Sequence, residues 1–144
     1  MNRINQLNVK LFADGADLDS MLVLYKLPYI RGFTTNPTLM KKAGINNYEK
    51  FAKQVIEAIP DRPVSFEVFA DELSDMLAQA KVIGSWGSNV YVKIPVSNTK
   101  GQSTEGLVSE LSDNGVKVNV TAIMTNEQVK NVVHSLNPDV EAYV

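Results

Sequence analysis

Two periodicities alternate along the chain. Short runs rich in β-branched and aromatic residues are each followed by a stretch in which apolar positions recur at helical spacing. The first such pair is a strand over residues 8–14 and a helix over 17–26. Gly32-Phe33-Thr34-Thr35 forms the second strand, and Asn36-Pro37 ends it because proline has no amide hydrogen to give to a ladder. Helices over 38–42 and 47–59 come next. The third unit pairs a strand over 64–68 with a helix over 72–83, in which Leu73, Met76, Leu77 and Ala80 recur on one inward face. The fourth pairs a strand over 90–95 with a helix over 104–112 that Asn114-Gly115 closes as a C-cap. A fifth strand over 116–121 precedes a helix over 126–136, and Asn137-Pro138 breaks the pattern before a sixth strand begins at Ala142-Tyr143-Val144.

This rhythm predicts a parallel α/β sheet with right-handed crossovers covered by helices, in a single domain over residues 1–144. Two folds meet the description. A (β/α)₈ barrel takes about 250 residues and would here be incomplete, whereas five units complete a flavodoxin-like open sheet. At 144 residues, length alone favours the open sheet.

Composition narrows the function classes. With 44% apolar and 21% charged residues the chain is an ordinary globular sequence, so disordered, collagen-like and coiled-coil classes drop out. A net charge of −2 with dispersed Lys and Arg leaves no footprint for nucleic acid or an anionic membrane. Residues 1–6 are too polar for a signal peptide, and no apolar run approaches the ~18 residues of a membrane span. The absence of cysteine excludes disulfides and thiolate metal sites. A cytoplasmic location is the expectation.

Several strands end on a polar residue. Residues two apart on a strand share a face, which groups Asp14 with Phe12, Asn36 with Thr34, Glu67 with Ser65, Lys93 with Tyr91, and Thr121 with Asn119. In a parallel α/β protein the C-terminal strand ends converge on one rim, where active sites lie. Lys93 stands between Val92 and Ile94 in a strand otherwise apolar enough to be buried. A buried ammonium is costly unless paired, and a neutral lysine amine attacks carbonyls to form a Schiff base. The plainer alternative is an edge-strand lysine reaching solvent. Glu67, between Phe66 and Val68, is either exposed or held in the same mouth as a general acid/base. Asp14 could cap a turn, as Asp17 could cap the next helix; Asn36 could be a turn residue and Thr121 an ordinary β-former. His134 lies on the last helix outside the rim, and Trp86 reads as packing or a loop anchor.

Five segments in order resemble the transaldolase family, especially its small bacterial members, which include fructose-6-phosphate aldolases. They are Leu11-Phe12-Ala13-Asp14, Gly32-Phe33-Thr34-Thr35-Asn36-Pro37-Thr38-Leu39, Ser65-Phe66-Glu67-Val68, Tyr91-Val92-Lys93-Ile94-Pro95-Val96 and Asn119-Val120-Thr121-Ala122. The resemblance implies the N-terminal portion of a (β/α)₈ barrel of the class I aldolase type, reversing the length argument. It implies that Lys93 forms the Schiff base, that Asp14 shuttles a proton, and that Glu67 with Thr121 activates a water. Thr34, Asn36 and Asn119 would line the substrate site. The implied reaction transfers a dihydroxyacetone unit from a ketose phosphate such as sedoheptulose 7-phosphate to glyceraldehyde 3-phosphate, in the pentose phosphate pathway, with no metal and no organic cofactor. Glutamate at position 67 resembles transaldolases; fructose-6-phosphate aldolases carry glutamine there. Family members continue past a segment matching Ala142-Tyr143-Val144 into further strands, which bring an active-site serine and a phosphate-binding arginine. An open barrel would expose unpaired strand edges, so a homo-oligomer is expected. The competing readings are a flavodoxin-like binding module and a non-catalytic half-barrel.

Overall fold

A computed structural model describes residues 8–144, so the polar opening, unlike a signal peptide in sequence, lies outside the described residues. The described residues form two compact units, 8–65 and 66–144.

The first unit holds strands β1 (Leu11–Asp14) and β2 (Ile30–Thr34), helices α1 (Leu18–Tyr25), α2 (Pro37–Lys42) and α3 (Tyr48–Ala58), and the first half of β3 (Val64–Glu67). The strand predicted from residue 8 starts instead at Leu11. Strand β2 pairs in parallel with β1 on one side and with β3 on the other, through Phe33↔Val64 and Thr34↔Ser65. That order decides between the two candidate folds, because a flavodoxin-like sheet places its first strand between the second and third. Gly32 is required by packing: a Cβ there would stand 2.3 Å from the Phe12 ring. Helix α1 starts at the Asp17 cap, whose Oδ2 accepts from the Ser20 amide at 2.9 Å. Helix α3 buries Phe51, Ala52 and Val55 on one face, as its amphipathic spacing requires.

The second unit continues β3 and adds α4 (Leu73–Gly84), β4 (Val90–Pro95), α5 (Glu105–Asp113), β5 (Val118–Thr121), α6 (Asn126–Ser135) and β6 (Ala142–Tyr143). Strands β4, β5 and β6 pair in parallel in chain order. One face of β4 and β5 is wholly apolar: Val90, Val92, Ile94, Val118 and Val120 are all buried. Helices α4 and α5 pack against these strands with Met76, Ala80, Ile83, Leu107, Val108 and Leu111. Each fully buried Val, Leu, Ile or Met side chain contributes about 1.5–3 kcal/mol, which makes this layer the core of the unit. Helix α5 ends as Asn114-Gly115 foretold. Gly115 has φ +77°, its amide donates to Ser112 O at 2.9 Å, and the Val116 amide donates to Leu111 O at 3.0 Å. That closure uses Val116, so β5 starts at Val118 rather than at 116. Helix α6 opens on a capping box: Thr125 Oγ1 accepts from the Gln128 amide at 3.1 Å while Gln128 Oε1 accepts from the Thr125 amide at 3.1 Å.

Candidate active site

Within the second unit the polar face of β4 and β5 carries the predicted residues. Lys93 and Asn119 are Cα partners, and Pro95 pairs with Thr121, so Tyr91 and Lys93 share a face with Asn119 and Thr121. The Val68 amide donates to Lys93 O at 3.2 Å, so β4 has neighbours on both sides and is no edge strand. The Lys93 side chain is 17% exposed and its Nζ lies 3.2 Å from Glu67 Oε2, on a carboxylate 21% exposed. Of the ion pairs among the described residues this is the most enclosed; in each of the others at least one side chain is half exposed or nearly so. Removing two charges from water is offset here by their mutual attraction. Thr121, half-buried, holds the end of β5: its carbonyl accepts from the Val96 amide at 2.8 Å. The next residue, Ala122, turns the chain with φ +58°, a conformation few residues other than glycine adopt.

Within the first unit Asp14 and Thr34 are Cα partners at the ends of β1 and β2, and the Thr34 hydroxyl donates to Asp14 Oδ1. Asp14 is exposed. Asn36 caps α2: its Oδ1 accepts from the Leu39 amide at 2.9 Å, with Pro37 at the first helical position. The structure thus joins Lys93 to Glu67, aligns Asn119 with Lys93, joins Asp14 to Thr34, and makes Asn36 a helix cap.

Two groups in the second unit were missed by sequence reasoning. Below Lys93, the buried Tyr91 donates its hydroxyl to Glu141 Oε2 at 2.9 Å, Lys117 Nζ meets the same oxygen at 2.7 Å, and the Tyr91 and Tyr143 rings stack with centroids 4.6 Å apart. Burial first, then the hydrogen bond to Glu141, pushes the Tyr91 phenol above its ordinary range. Beyond Lys93, Asp71 accepts from the Thr99 hydroxyl at 2.6 Å and the Thr99 amide at 2.8 Å, which holds the Asp71 carboxyl below its usual range. A run of Asn, Thr, Lys and Gly at 98–101 signals the turn, but no sequence pattern names its partner across the gap. His134 is exposed on α6, its Nδ1 2.7 Å from Lys130 O, and Trp86 packs edge-on against Phe66 at 5.8 Å.

The arrangement offers an amine and a carboxylate in contact on a strand end, flanked by an amide and a hydroxyl. A family model described as transaldolase/fructose-6-phosphate aldolase matches residues 11–144. The chain belongs to this family. The transaldolase fold is a (β/α)₈ barrel, and the alternation of parallel strands and helices in each unit is that of its N-terminal part. A protein of Dehalococcoides mccartyi named probable transaldolase is 37% identical over 122 residues, covering 83% of this chain and 54% of that protein. Probable transaldolases of Streptococcus equi subsp. zooepidemicus and Sulfurihydrogenibium sp. are 36% and 34% identical over the same length. The chain spans about half the length of the curated relatives it matches. Among the described residues no helix is long and apolar enough to cross a membrane, and no group of three or more His, Asp or Glu is placed to hold a metal ion.

Proposed function

We propose that this chain carries the Schiff-base chemistry of a transaldolase, with Lys93 as nucleophile. The observation that carries the reading is the enclosed Lys93–Glu67 pair aligned with Asn119 at the strand ends. The amine adds to the carbonyl of a ketose phosphate; the resulting carbinolamine loses its hydroxyl as water and becomes an iminium. Glu67, 3.2 Å from Nζ, takes the ammonium proton before attack and returns it to the departing hydroxyl. The iminium withdraws electrons from its neighbouring carbon, so the next carbon–carbon bond breaks and its electron pair becomes the enamine. Asp14, bonded to the Thr34 hydroxyl, takes the proton of the cleaved alcohol, the role that the resemblance assigns to it. The enamine then adds to an acceptor aldehyde such as glyceraldehyde 3-phosphate, whose oxygen takes back the proton held on Asp14, and the iminium re-forms for hydrolysis by water. Thr121 orients the hydrolytic water with Glu67, and Thr34, Asn36 and Asn119 bind the sugar hydroxyls. The reaction uses sugar phosphates and no cofactor, in the cytoplasm, by a chain that associates as a homo-oligomer.

Borohydride reduction with dihydroxyacetone followed by peptide mass spectrometry tests the reading. The expected adduct is a reduced imine on Lys93, absent from Lys93→Ala; an adduct elsewhere, or none, overturns it. A second reading, cleavage with release of free dihydroxyacetone as in a fructose-6-phosphate aldolase, is disfavoured by glutamate at 67. Product analysis with and without an acceptor aldehyde separates the two.

A further inference from the structure

The segments leaving the Lys93–Glu67 pair are fastened to each other again a few residues later. From Glu67 the chain passes Val68, whose amide bonds Lys93 O, then Phe69 and Ala70, whose amides both donate to Gln79 Oε1 at 2.8 and 3.0 Å, and reaches Asp71. From Lys93 it passes Pro95 and Val96, whose carbonyls accept from the Thr104 hydroxyl at 2.7 Å and the Thr104 amide at 3.1 Å. It then reaches Asn98, which is 6% exposed. Asn98 Nδ2 donates to Asp71 O at 3.2 Å and to Gln102 Oε1 at 2.7 Å, while its Oδ1 accepts from the Lys100 and Gln102 amides at 3.1 and 2.8 Å. Asp71 receives both the amide and the hydroxyl of Thr99, and Lys100 pairs with Glu72. The two segments therefore close a loop of chain just beyond the ion pair, joined at its near end by a strand hydrogen bond and at its far end by Asp71.

We propose that Asp71, acting through Thr99 and Asn98, is a positioning residue that holds the strand ends of Lys93 and Glu67 at fixed separation. The proposal rests on the nucleophile reading above for its catalytic consequence, though its geometric content does not. Asp71 lies four residues beyond Glu67 and acts on the pair only through the backbone. Its bonds to Thr99 are made by a carboxylate, the stronger kind, and with the Asn98 bond to Asp71 O they fasten the two loops on their outer side. Releasing them lets the amine and carboxylate drift, and small misplacements of reacting groups cost rate rather than binding.

The test uses the full chain and three variants. Asp71→Ala removes both bonds to Thr99, Thr99→Val removes the hydroxyl bond alone, and Thr99→Ser keeps both. In imine trapping with dihydroxyacetone, Asp71→Ala is expected to lower the limiting rate about tenfold and Thr99→Val about threefold, with the half-saturating ketone concentration within about twofold and Thr99→Ser close to wild type. Reductive methylation with formaldehyde and cyanoborohydride reads the pair without any sugar. Lys93 is expected to be methylated about threefold faster in Asp71→Ala and Thr99→Val, while Lys53, on α3, labels at an unchanged rate. An unchanged Lys93 methylation rate in both variants overturns the proposal. So does a Thr99→Ser defect equal to that of Thr99→Val, which would mark a packing effect in place of the hydrogen bonds. If the wild-type chain traps no imine, the nucleophile reading fails and the methylation rates alone decide the positioning claim.

Discussion

The polar sheet face of the second unit carries a lysine–glutamate pair at each end, and the two are built oppositely. Lys117–Glu141, toward the strand starts, is the shorter at 2.7 Å, yet its side chains are 33% and 70% exposed. Lys93–Glu67, at the strand ends, is longer at 3.2 Å and much more enclosed. Contact distance therefore says little about what a pair does. An exposed pair is held cheaply and contributes about 0–1 kcal/mol. An enclosed pair must overcome desolvation, and apolar replacements of both partners are often neutral or stabilising. The strand-start end of a barrel sheet is where stability is built, the strand-end rim where chemistry is done.

The sharpest way to break this comparison is Lys93→Ala, which should reduce imine trapping to background, a loss of about a thousandfold or more, with the fold intact by circular dichroism. Next in size is Tyr91→Ala at the other end: it empties a buried aromatic site and should cost about 3–4 kcal/mol in chemical denaturation, while Tyr91→Phe, which loses only the bond to Glu141, should cost about 1 kcal/mol. Third, Glu67→Leu leaves Lys93 without this carboxylate and should destabilise by about 1–3 kcal/mol, discounted for partial exposure, whereas the double change Lys93→Met with Glu67→Leu should return to within about 1 kcal/mol of wild type. Denaturant midpoints of the three chains check this, and a double variant no better than the single would remove the distinction between the two pairs. Smallest is Lys117→Met, expected to shift stability by less than about 1 kcal/mol and to leave trapping unchanged.

The same comparison has a pH signature. The Tyr91 phenol is raised in the folded chain, so its contribution is complete below the unfolded phenol value near 10 and is lost as pH rises above it. Asp71 is lowered, so its contribution is complete above the ordinary carboxylate range near 4 and is lost as pH falls through the folded value. Denaturation midpoints should fall at both extremes; Tyr91→Phe should flatten the alkaline side and Asp71→Ala the acid side.

Much of the fold could be read from periodicity because the strands are so apolar: residues 90–95 appear in the structure as β4 with the bounds read from the sequence. Strand pairing was another matter. Whether Lys93 reached solvent depended on whether β4 had one neighbour or two, and that is a property of the sheet and not of the strand. Glu67 was ambiguous for the same reason. Asn36 carries a different ambiguity, since its amide suits both a substrate and a helix cap: the cap engages Oδ1, and the substrate role proposed above falls to Nδ2. The Asp71 and Glu141 groups were invisible because each joins residues 24 or more positions apart in sequence. The capping box at Thr125 and Gln128 could have been read directly from its three-residue spacing.

The left-handed turn at Ala122 bears on how this rim can diversify. A side chain branched at Cβ cannot take that backbone shape without strain, while glycine or asparagine relaxes it. Position 122 thus narrows the side chains that can follow Thr121 to those that tolerate a left-handed bend.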